Sequence, residues 1–249
     1  MYKNKTNAVV VRAYNEEKSI YSLVDSMPEF VDRIYIVNDA SSDKTPEIIS
    51  ELARSDKRII IINHSTRSGA GSASISGLKQ ALLENIDLVA TMDGDGQMFP
   101  SLLSRFLDPI IMGKADCSKG SRLSQLEDKR EMPTFRLFGN IMLTYLTRMA
   151  SGYWHISDPQ NGYMAISQET LRKIDLDNID SGFAFENDIL VKLNVVSARV
   201  VNIPHPAIYR GQTSKIAYPS FILQTSWILL KDFAWRLSKK YLFKKQPIS

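Results

Sequence analysis

The stretch VATMDGDGQMFP, residues 89–100, decides how the chain folds. An apolar run ends at Asp93, and a second carboxylate follows at Asp95, with Gly94 between them and Gly96-Gln97 after. Similar short, β-rich runs precede and follow it: AVVV (8–11), RIYIVN (33–38), RIIIIN (58–63), DLVATM (87–92) and the weaker ADCSKGS (115–121). Helical patterns separate them. Ile20, Leu23, Val24 and Met27 share one helical face, Thr45-Pro46-Glu47 opens a second helix, and Ser76 to Leu83 predicts a third. Strands alternating with helices predict βαβ units and a mostly parallel sheet flanked by helices, an α/β fold. The unbroken apolar strands agree, because parallel strands are covered on both faces. Residues 137–150 and 185–194 predict further helices. Asp158-Pro159 and Asn161-Gly162 mark turns, and Arg122 to Arg136 reads as a charged loop.

Composition narrows the class. The 249 residues are 44% hydrophobic and 23% charged, enough for one α/β domain with a full core, or a domain plus a small appendage. The net charge of +4 is concentrated near the end, at Arg236, Lys239, Lys240, Lys244 and Lys245. A single cysteine, Cys117, excludes an internal disulfide framework and a cysteine-based zinc site. The first residues hold only a short apolar stretch before Arg12, so no signal peptide is expected. The fifteen uncharged residues Ile216 to Leu230 fall short of the roughly 20 that a spanning helix needs. Leu223, Trp227, Leu230, Ala234, Leu237 and Tyr241 form the apolar stripe of a long amphipathic helix. That stripe, followed by SKKYLFKK, suits a helix lying on an anionic membrane surface; the plainer alternative is packing on the domain.

Ligands of open parallel sheets bind beyond the carboxyl ends of the strands. Asp93 and Asp95 sit there. Two adjacent carboxylates repel unless a cation lies between them, and Mg²⁺ is commonly held by one or two carboxylates plus substrate phosphates. The alternative is a tight Asp-Gly turn. An EF-hand is excluded, because positions six and twelve counted from Asp93 are Met98 and Ser104. Asp39 follows the second strand at the same edge. Asp43 has the plainer role of a helix cap. Asn15 with Glu16 and Glu17 reads as helix initiation, with Asn15 as N-cap. RSGAGSASISGLKQAL is a small-residue stretch entering a helix, without the G-K-[ST] of a P-loop. His64, His155 and His205 show no ligand spacing and are given no catalytic role.

Together these features resemble the family 2 glycosyltransferases of the GT-A fold, a Rossmann-like nucleotide-diphospho-sugar transferase architecture. The resemblance rests on Arg12-Ala13-Tyr14-Asn15-Glu16, on Val37-Asn38-Asp39-Ala40-Ser41-Ser42-Asp43-Lys44-Thr45, and on Asp93-Gly94-Asp95-Gly96-Gln97. Arg12 stands where that family usually has proline. Downstream, KGSRL (119–123), ISDPQNGYMAIS, FAFENDILVKL and YRGQTSKI resemble segments of the polyprenyl-phosphate sugar synthases. Asn161 replaces a serine there, and the spacing around Gly211 is altered.

The resemblance implies a nucleotide-sugar donor held by Ala13, Tyr14, Glu16, Val37, Asp39, Asp93 and Gly94. It implies Mg²⁺ or Mn²⁺ on Asp93, Asp95 and Gln97. Asp95, Arg122, Arg210 and Lys215 would serve the transfer, with Arg136 and Asp158 at the acceptor phosphate. Solvated surface charge is the plainer role for Arg136. Asp158 would orient the metal site or a basic residue, or cap its own turn. A polyprenyl phosphate is already ionised and needs no general base, only nearby cations. A hydroxyl acceptor would need a carboxylate such as Glu186 or Asp188, whose plainer role is helix N-terminal charge. A sugar nucleotidyltransferase fits less well, because RAYNEE is not a Gly-rich loop. A non-enzymatic basic module leaves the acidic rim unexplained. The expected organisation is a transferase domain over 1–215 and an interfacial helix with a basic tail over 216–249. The protein would then lie peripherally on the cytoplasmic face of a membrane, or meet an integral-membrane partner, with no role for nucleic acid.

Overall fold

The computed structural model describes residues 1–122, 134–182, 184–206 and 218–242, with side chains from residue 141 in the helix that begins at Thr134 and from residue 224 in the helix that begins at Tyr218. The N-terminal half runs β1 (Asn7–Ala13), α1 (Ile20–Asp25), β2 (Arg33–Asn38), α2 (Thr45–Ser55), β3 (Ile59–Asn63), α3 (Ala70–Leu83), β4 (Leu88–Asp93), α4 (Leu103–Ile111) and β5 (Cys117–Arg122). Then follow α5 (Thr134–Ser151), β6 (Met164–Ser167), α6 (Gln168–Lys173), α7 (Phe185–Val195), β7 (Val200–His205) and α8 (Tyr218–Leu237), which ends in a π-helical turn at Ser238–Leu242.

The strands form one sheet in the order β3-β2-β1-β4-β6-β5-β7. The pairs β1–β2, β2–β3, β1–β4 and β5–β7 are parallel, and β6 runs antiparallel between β4 and β5. Alternation along each strand sends side chains to two cores. On one face Ala8, Val10, Tyr35 and Val37 pack with Ala73 and Leu78 of α3 and Ile189 and Leu193 of α7. On the other, Val9, Val11, Ile34 and Ile36 pack with Leu23, Ile49 and Phe106 of α1, α2 and α4. The chain leaves β1 toward β2 and β3, then returns to place β4 on β1's other side. That reversal opens the sheet's switch point at the carboxyl ends of β1 and β4, where Arg12 pairs in register with Asp93.

The expected strands and helices form, with three corrections. Helix α3 begins at Ala70, six residues before the expected start, because Ala70, Gly71 and Ser72 carry no strong apolar signal although Gly71 is buried against the Ser181 backbone. Asn15 is not an N-cap: α1 starts later, after Ser19. Asn15 instead takes a left-handed φ of 57° and accepts the Ser42 N–H through Oδ1 at 2.8 Å, stitching the β1–α1 loop to the β2–α2 loop. The third correction is that β6 and β7 are strands the patterning did not single out; β6 has only four residues and lies beside turn chemistry.

Helix α8 packs on α5 and α7. Its buried positions are Thr225, Leu229, Asp232 and Arg236, spaced at the helical period. Arg236 is therefore not part of a solvated basic tail. Its Nε donates to the Ala150 carbonyl at 2.7 Å and its Nη2 to the Met149 carbonyl at 3.2 Å, satisfying the end of α5. The apolar stripe faces the other way: Trp227 is 58% exposed, Leu230 53%, and Ala234 is exposed too. Leu223 and Tyr241 lie outside the described side chains. Ile141 and Tyr145 of α5, and Trp154 just after it, are also exposed large apolar side chains. No helix among the described residues is long and apolar enough to cross a membrane.

Candidate active site at the carboxyl edge of the sheet

Two loops at the carboxyl edge, β1–α1 and β2–α2, are tied together by backbone donors. The Asp39 N–H donates to the Ala13 carbonyl at 2.9 Å, the Glu16 N–H to Thr45 Oγ1 at 2.8 Å, and the Glu17 N–H to Asp43 Oδ2 at 3.2 Å. Asp43 Oδ1 also accepts the Thr45 N–H at 2.9 Å, but Asp43 stands one residue outside the N-cap position, which Lys44 holds without a side-chain hydrogen bond, so it joins the loops and is not the cap expected of it. The side chain of Val37 lies in the sheet core and the strand's backbone is paired on both sides, so Val37 reaches the edge only through Asn38 and Asp39.

Asp39 is buried, with a full set of donors. Its carboxylate accepts the Ser68 and Gly69 N–H groups, each at 2.8 Å, and meets His64 Nδ1 at 2.8 Å. Burial pushes its pKa up, but these three donors outweigh burial and hold it below the ordinary carboxylate value. His64 was invisible as a partner in the sequence, since 25 residues separate it from Asp39. The same loop places Arg67 over the Tyr14 ring, 4.1 Å from its centre, a cation–π contact at the mouth of the site.

The β4 end carries the acidic pair. Gly94 is required by close approach: its N–H donates to the Arg12 carbonyl at 2.8 Å, and a Cβ there would lie 2.8 Å from that same oxygen. The following turn leads to a short 3-10 segment and α4, not to a hairpin. The Gln97 N–H closes it on Asp95 Oδ1 at 2.9 Å. Burial, then the charge of Asp93, push the Asp95 carboxyl up to about 6 against the opposing pull of the Gln97 N–H, Arg12 and Arg122. Asp93 is half-buried, 35% exposed, and ion-paired to Arg12 at 2.5 Å.

Arg12 is buried, with 7% exposure, and is the hub of the site. One terminal nitrogen meets Asp93 Oδ1; the other meets Glu186 Oε1 at 2.5 Å and Ser74 Oγ at 3.2 Å. The Nε has no hydrogen-bond partner among the described residues. Lys119 of β5 lies on the same side of the sheet, fully buried and likewise without a hydrogen-bond partner for its Nζ. Burial lowers its pKa, with Glu186 acting against that fall.

Arg122 and Asp158 form the far wall. Nε and Nη2 of Arg122 donate to the two Asp158 oxygens at 2.6 and 2.9 Å, a bidentate fork. Burial would raise Asp158, and Arg122 followed by Asn161 bring it below the ordinary value. Asn161 donates through Nδ2 to His205 Nε2 at 2.8 Å, with His205 Nδ1 donating to the Pro206 carbonyl. That network explains the asparagine found where a serine is usual.

The structure thus brings Tyr14, Glu16, Asp39, Asp93, Gly94, Asp95, Gln97, Arg122, Asp158 and Glu186 to one edge. It takes Asp188 elsewhere: its carboxylate accepts the Asp180 N–H at 2.8 Å and pairs with Lys192 at 3.0 Å, under Asp232 of α8. Arg210 and Lys215 lie outside the described residues, as does the Arg136 side chain. No three histidine, cysteine, aspartate or glutamate side chains converge as a metal cage among the described residues. The Asp93–Asp95 pair fits the sparser demand of Mg²⁺ or Mn²⁺: a few protein oxygens, with phosphates and water completing the shell.

The chain matches curated proteins that span most of its length. It is 33% identical over 177 residues to the UDP-N-acetylglucosamine–dolichyl-phosphate N-acetylglucosaminyltransferase of Methanococcus voltae, covering 66% of this chain and 70% of that one. It is 31% identical over 200 residues to the polyprenol monophosphomannose synthase of Mycolicibacterium smegmatis, covering 79% and 75%. Among solved structures, glucosyl-3-phosphoglycerate synthase of Mycobacterium tuberculosis, in complex with Mn²⁺, UDP and phosphoglyceric acid, superposes with a TM-score of 0.69 at 17% identity, covering 96% of this chain and 79% of that one. That likeness is one of fold, and the fold is GT-A. With residues 8–175 matching the model of glycosyl transferase family 2, from β1 through β6 and the acidic edge between them, the chain belongs to that family and is a glycosyltransferase.

Proposed function

We propose that this glycosyltransferase moves a sugar from a nucleotide diphosphate to a polyprenyl phosphate, in a single displacement that inverts the anomeric carbon. The observation that carries the reading is the outward stripe of α8. Trp227 and Leu230 are exposed on the face opposite the docked one, which suits a helix that rests on the membrane holding the acceptor. Lys231 is exposed on the turn beside that stripe, where it would meet an anionic leaflet. Relatives named for dolichyl and polyprenyl acceptors support the same choice.

The residues divide the work. Tyr14, Glu16 and Asp39, with the backbone of Ala13 and Gly94, frame the pocket for base and ribose, and Val37 contributes only by placing Asn38 and Asp39. Asp93, Asp95 and Gln97 would hold Mg²⁺ or Mn²⁺ against the donor diphosphate. A bound cation there supplies Lewis-acid stabilisation of the departing nucleoside diphosphate. Arg122, held flat by Asp158, presents its guanidinium at the rim, where two anionic reactants must meet. Arg210, Lys215 and Arg136 would add charge on the acceptor side. Glu186 is engaged by Arg12 and Asp188 by Lys192, so an acceptor that arrives ionised suits the site better than one that must be deprotonated. The working place is the cytoplasmic face of a membrane, held peripherally by residues 216–249 beside a transferase domain of residues 1–215.

The test is transfer from a panel of labelled nucleotide sugars, with Mg²⁺ or Mn²⁺, to a short-chain polyprenyl phosphate in detergent and to a free-hydroxyl glycan. Label in the lipid-phosphate fraction is the expected outcome. Label confined to the glycan would overturn the acceptor assignment and return Glu186 to the role of base.

A further inference from the structure

Arg12 is the one residue of the first motif that departs from the family pattern, and the structure gives the departure a physical consequence. It sits at the switch point, in register with Asp93 across the β1–β4 pair. Alternation along β1 turns it to the face covered by α3 and α7, where a charge is buried unless paired. Its two terminal nitrogens divide between two carboxylates on different elements: Asp93 at the end of β4 and Glu186 in the first turn of α7, each at 2.5 Å. Gly162 makes room for this arrangement. A Cβ there would lie 2.1 Å from Nη2 of Arg12 and 2.9 Å from Oδ2 of Asp93. Asp93, Asp95 and Glu186 carry three negative charges and Arg12 removes one.

We propose that Arg12 is a positioning residue that sets the cation affinity of the β4 acidic pair, with Glu186 as its counterweight. The guanidinium competes for Asp93 and so weakens cation binding. Glu186 draws the guanidinium off and restores it. Charge on α7, the helix at the acceptor side of the sheet edge, is thereby coupled to the donor-side cation through one side chain. A hydrogen-bonded chain of buried charge carries such coupling because the low local dielectric leaves each charge strongly felt by the next. This inference rests on the assignment of Asp93 and Asp95 to the cation.

The two sides of Arg12 make opposite predictions, which separates coupling from damage. Mn²⁺ alone is titrated at pH 8 into the full chain, and free Mn²⁺ is read by its paramagnetic resonance signal. Arg12→Gln is expected to tighten binding at least about tenfold. Glu186→Gln is expected to weaken it by a comparable factor. The double variant, which restores the charge balance, is expected to return to within about threefold of wild type. Circular dichroism melts report whether each variant is folded; if Arg12→Gln alone does not fold, Glu186→Gln against the double variant decides. Equal affinities across the series, or both single variants weakening it, overturn the coupling. Asp95→Ala distinguishes that failure from failure of the site: undiminished Mn²⁺ binding in Asp95→Ala, or no saturable binding in either wild type or Arg12→Gln, overturns the cation assignment and the coupling with it.

Discussion

The carboxyl edge of the sheet and the outer face of α8 break the same rule in opposite senses. At the edge, Arg12, Asp39, Asp158 and Glu186 are buried charges. On α8, Trp227 and Leu230 are apolar side chains left in water. Each departure is costly unless something offsets it. At the edge the offset is internal: bidentate pairing of Asp158, three donors on Asp39, and the shared guanidinium of Arg12. On α8 Trp227 and Leu230 stand exposed on the face turned away from α5 and α7. On the proposed reading, the edge completes itself around a small charged ligand and the helix on a membrane surface.

The largest effect expected from breaking this contrast is at the edge. Asp95→Ala should reduce transfer by about a thousandfold or more, with metal-dependent donor binding lost and the melting temperature within a few degrees of wild type. Isothermal titration of donor with and without Mn²⁺ checks it; retained tight, metal-dependent binding would contradict the site.

Next comes the Arg122–Asp158 pair, whose members are not equivalent. Arg122 is partly exposed and reaches water when its partner is removed, whereas Asp158 does not. Arg122→Met should therefore destabilise by about 3 kcal/mol, because it strands a buried carboxylate. Asp158→Asn should cost roughly 1 kcal/mol. Urea unfolding of both variants would break the argument if the order came out reversed.

The helix face gives the third effect. Trp227→Ser with Leu230→Ser should leave unfolding within about 1 kcal/mol of wild type, since both are already in water. Co-sedimentation with anionic vesicles should fall at least about tenfold. Undiminished sedimentation would remove the membrane from the account of α8.

The smallest effect lies on the docked face of α8. Asp232 on the docked side of α8 faces Asp188 and Lys192 of α7, and burial followed by the Asp188 charge pushes it up to about 7. Its folded pKa lies above its unfolded value, so the folded state binds the proton more tightly. Stability is then greatest below the ordinary carboxylate range and declines as pH rises toward and through about 7. Asp232→Asn should raise the melting temperature at pH 8 by a few degrees and flatten its pH dependence between 5 and 8.

How much of this was legible in the chain differs between the two regions. DLVATM followed by D-G-D marks a strand end with ligand chemistry because a parallel strand is apolar until it reaches the edge. The stripe on α8 is legible too, since 3.6-residue spacing is a local property. Its orientation is not: Arg236 reads as part of a basic tail, yet it lies with Asp232 on the docked face, because carbonyls at the end of α5 and the ammonium of Lys192 wait there to pair with them. His64 on Asp39, Asn161 on His205 and Glu186 on Arg12 were out of reach for the same reason. Their partners lie 25, 44 and 174 residues away, and no local pattern records such a meeting.

The sequence by itself determined the alternating α/β order, the acidic strand ends, the family and the amphipathic helix, because each depends on periodicity or on short runs of neighbours. The tertiary structure alone decided which charges are paired, which carboxylates share Arg12 and which way α8 turns its apolar side. Those depend on which distant side chains are buried together, where an unpaired charge costs more than local preference can offset.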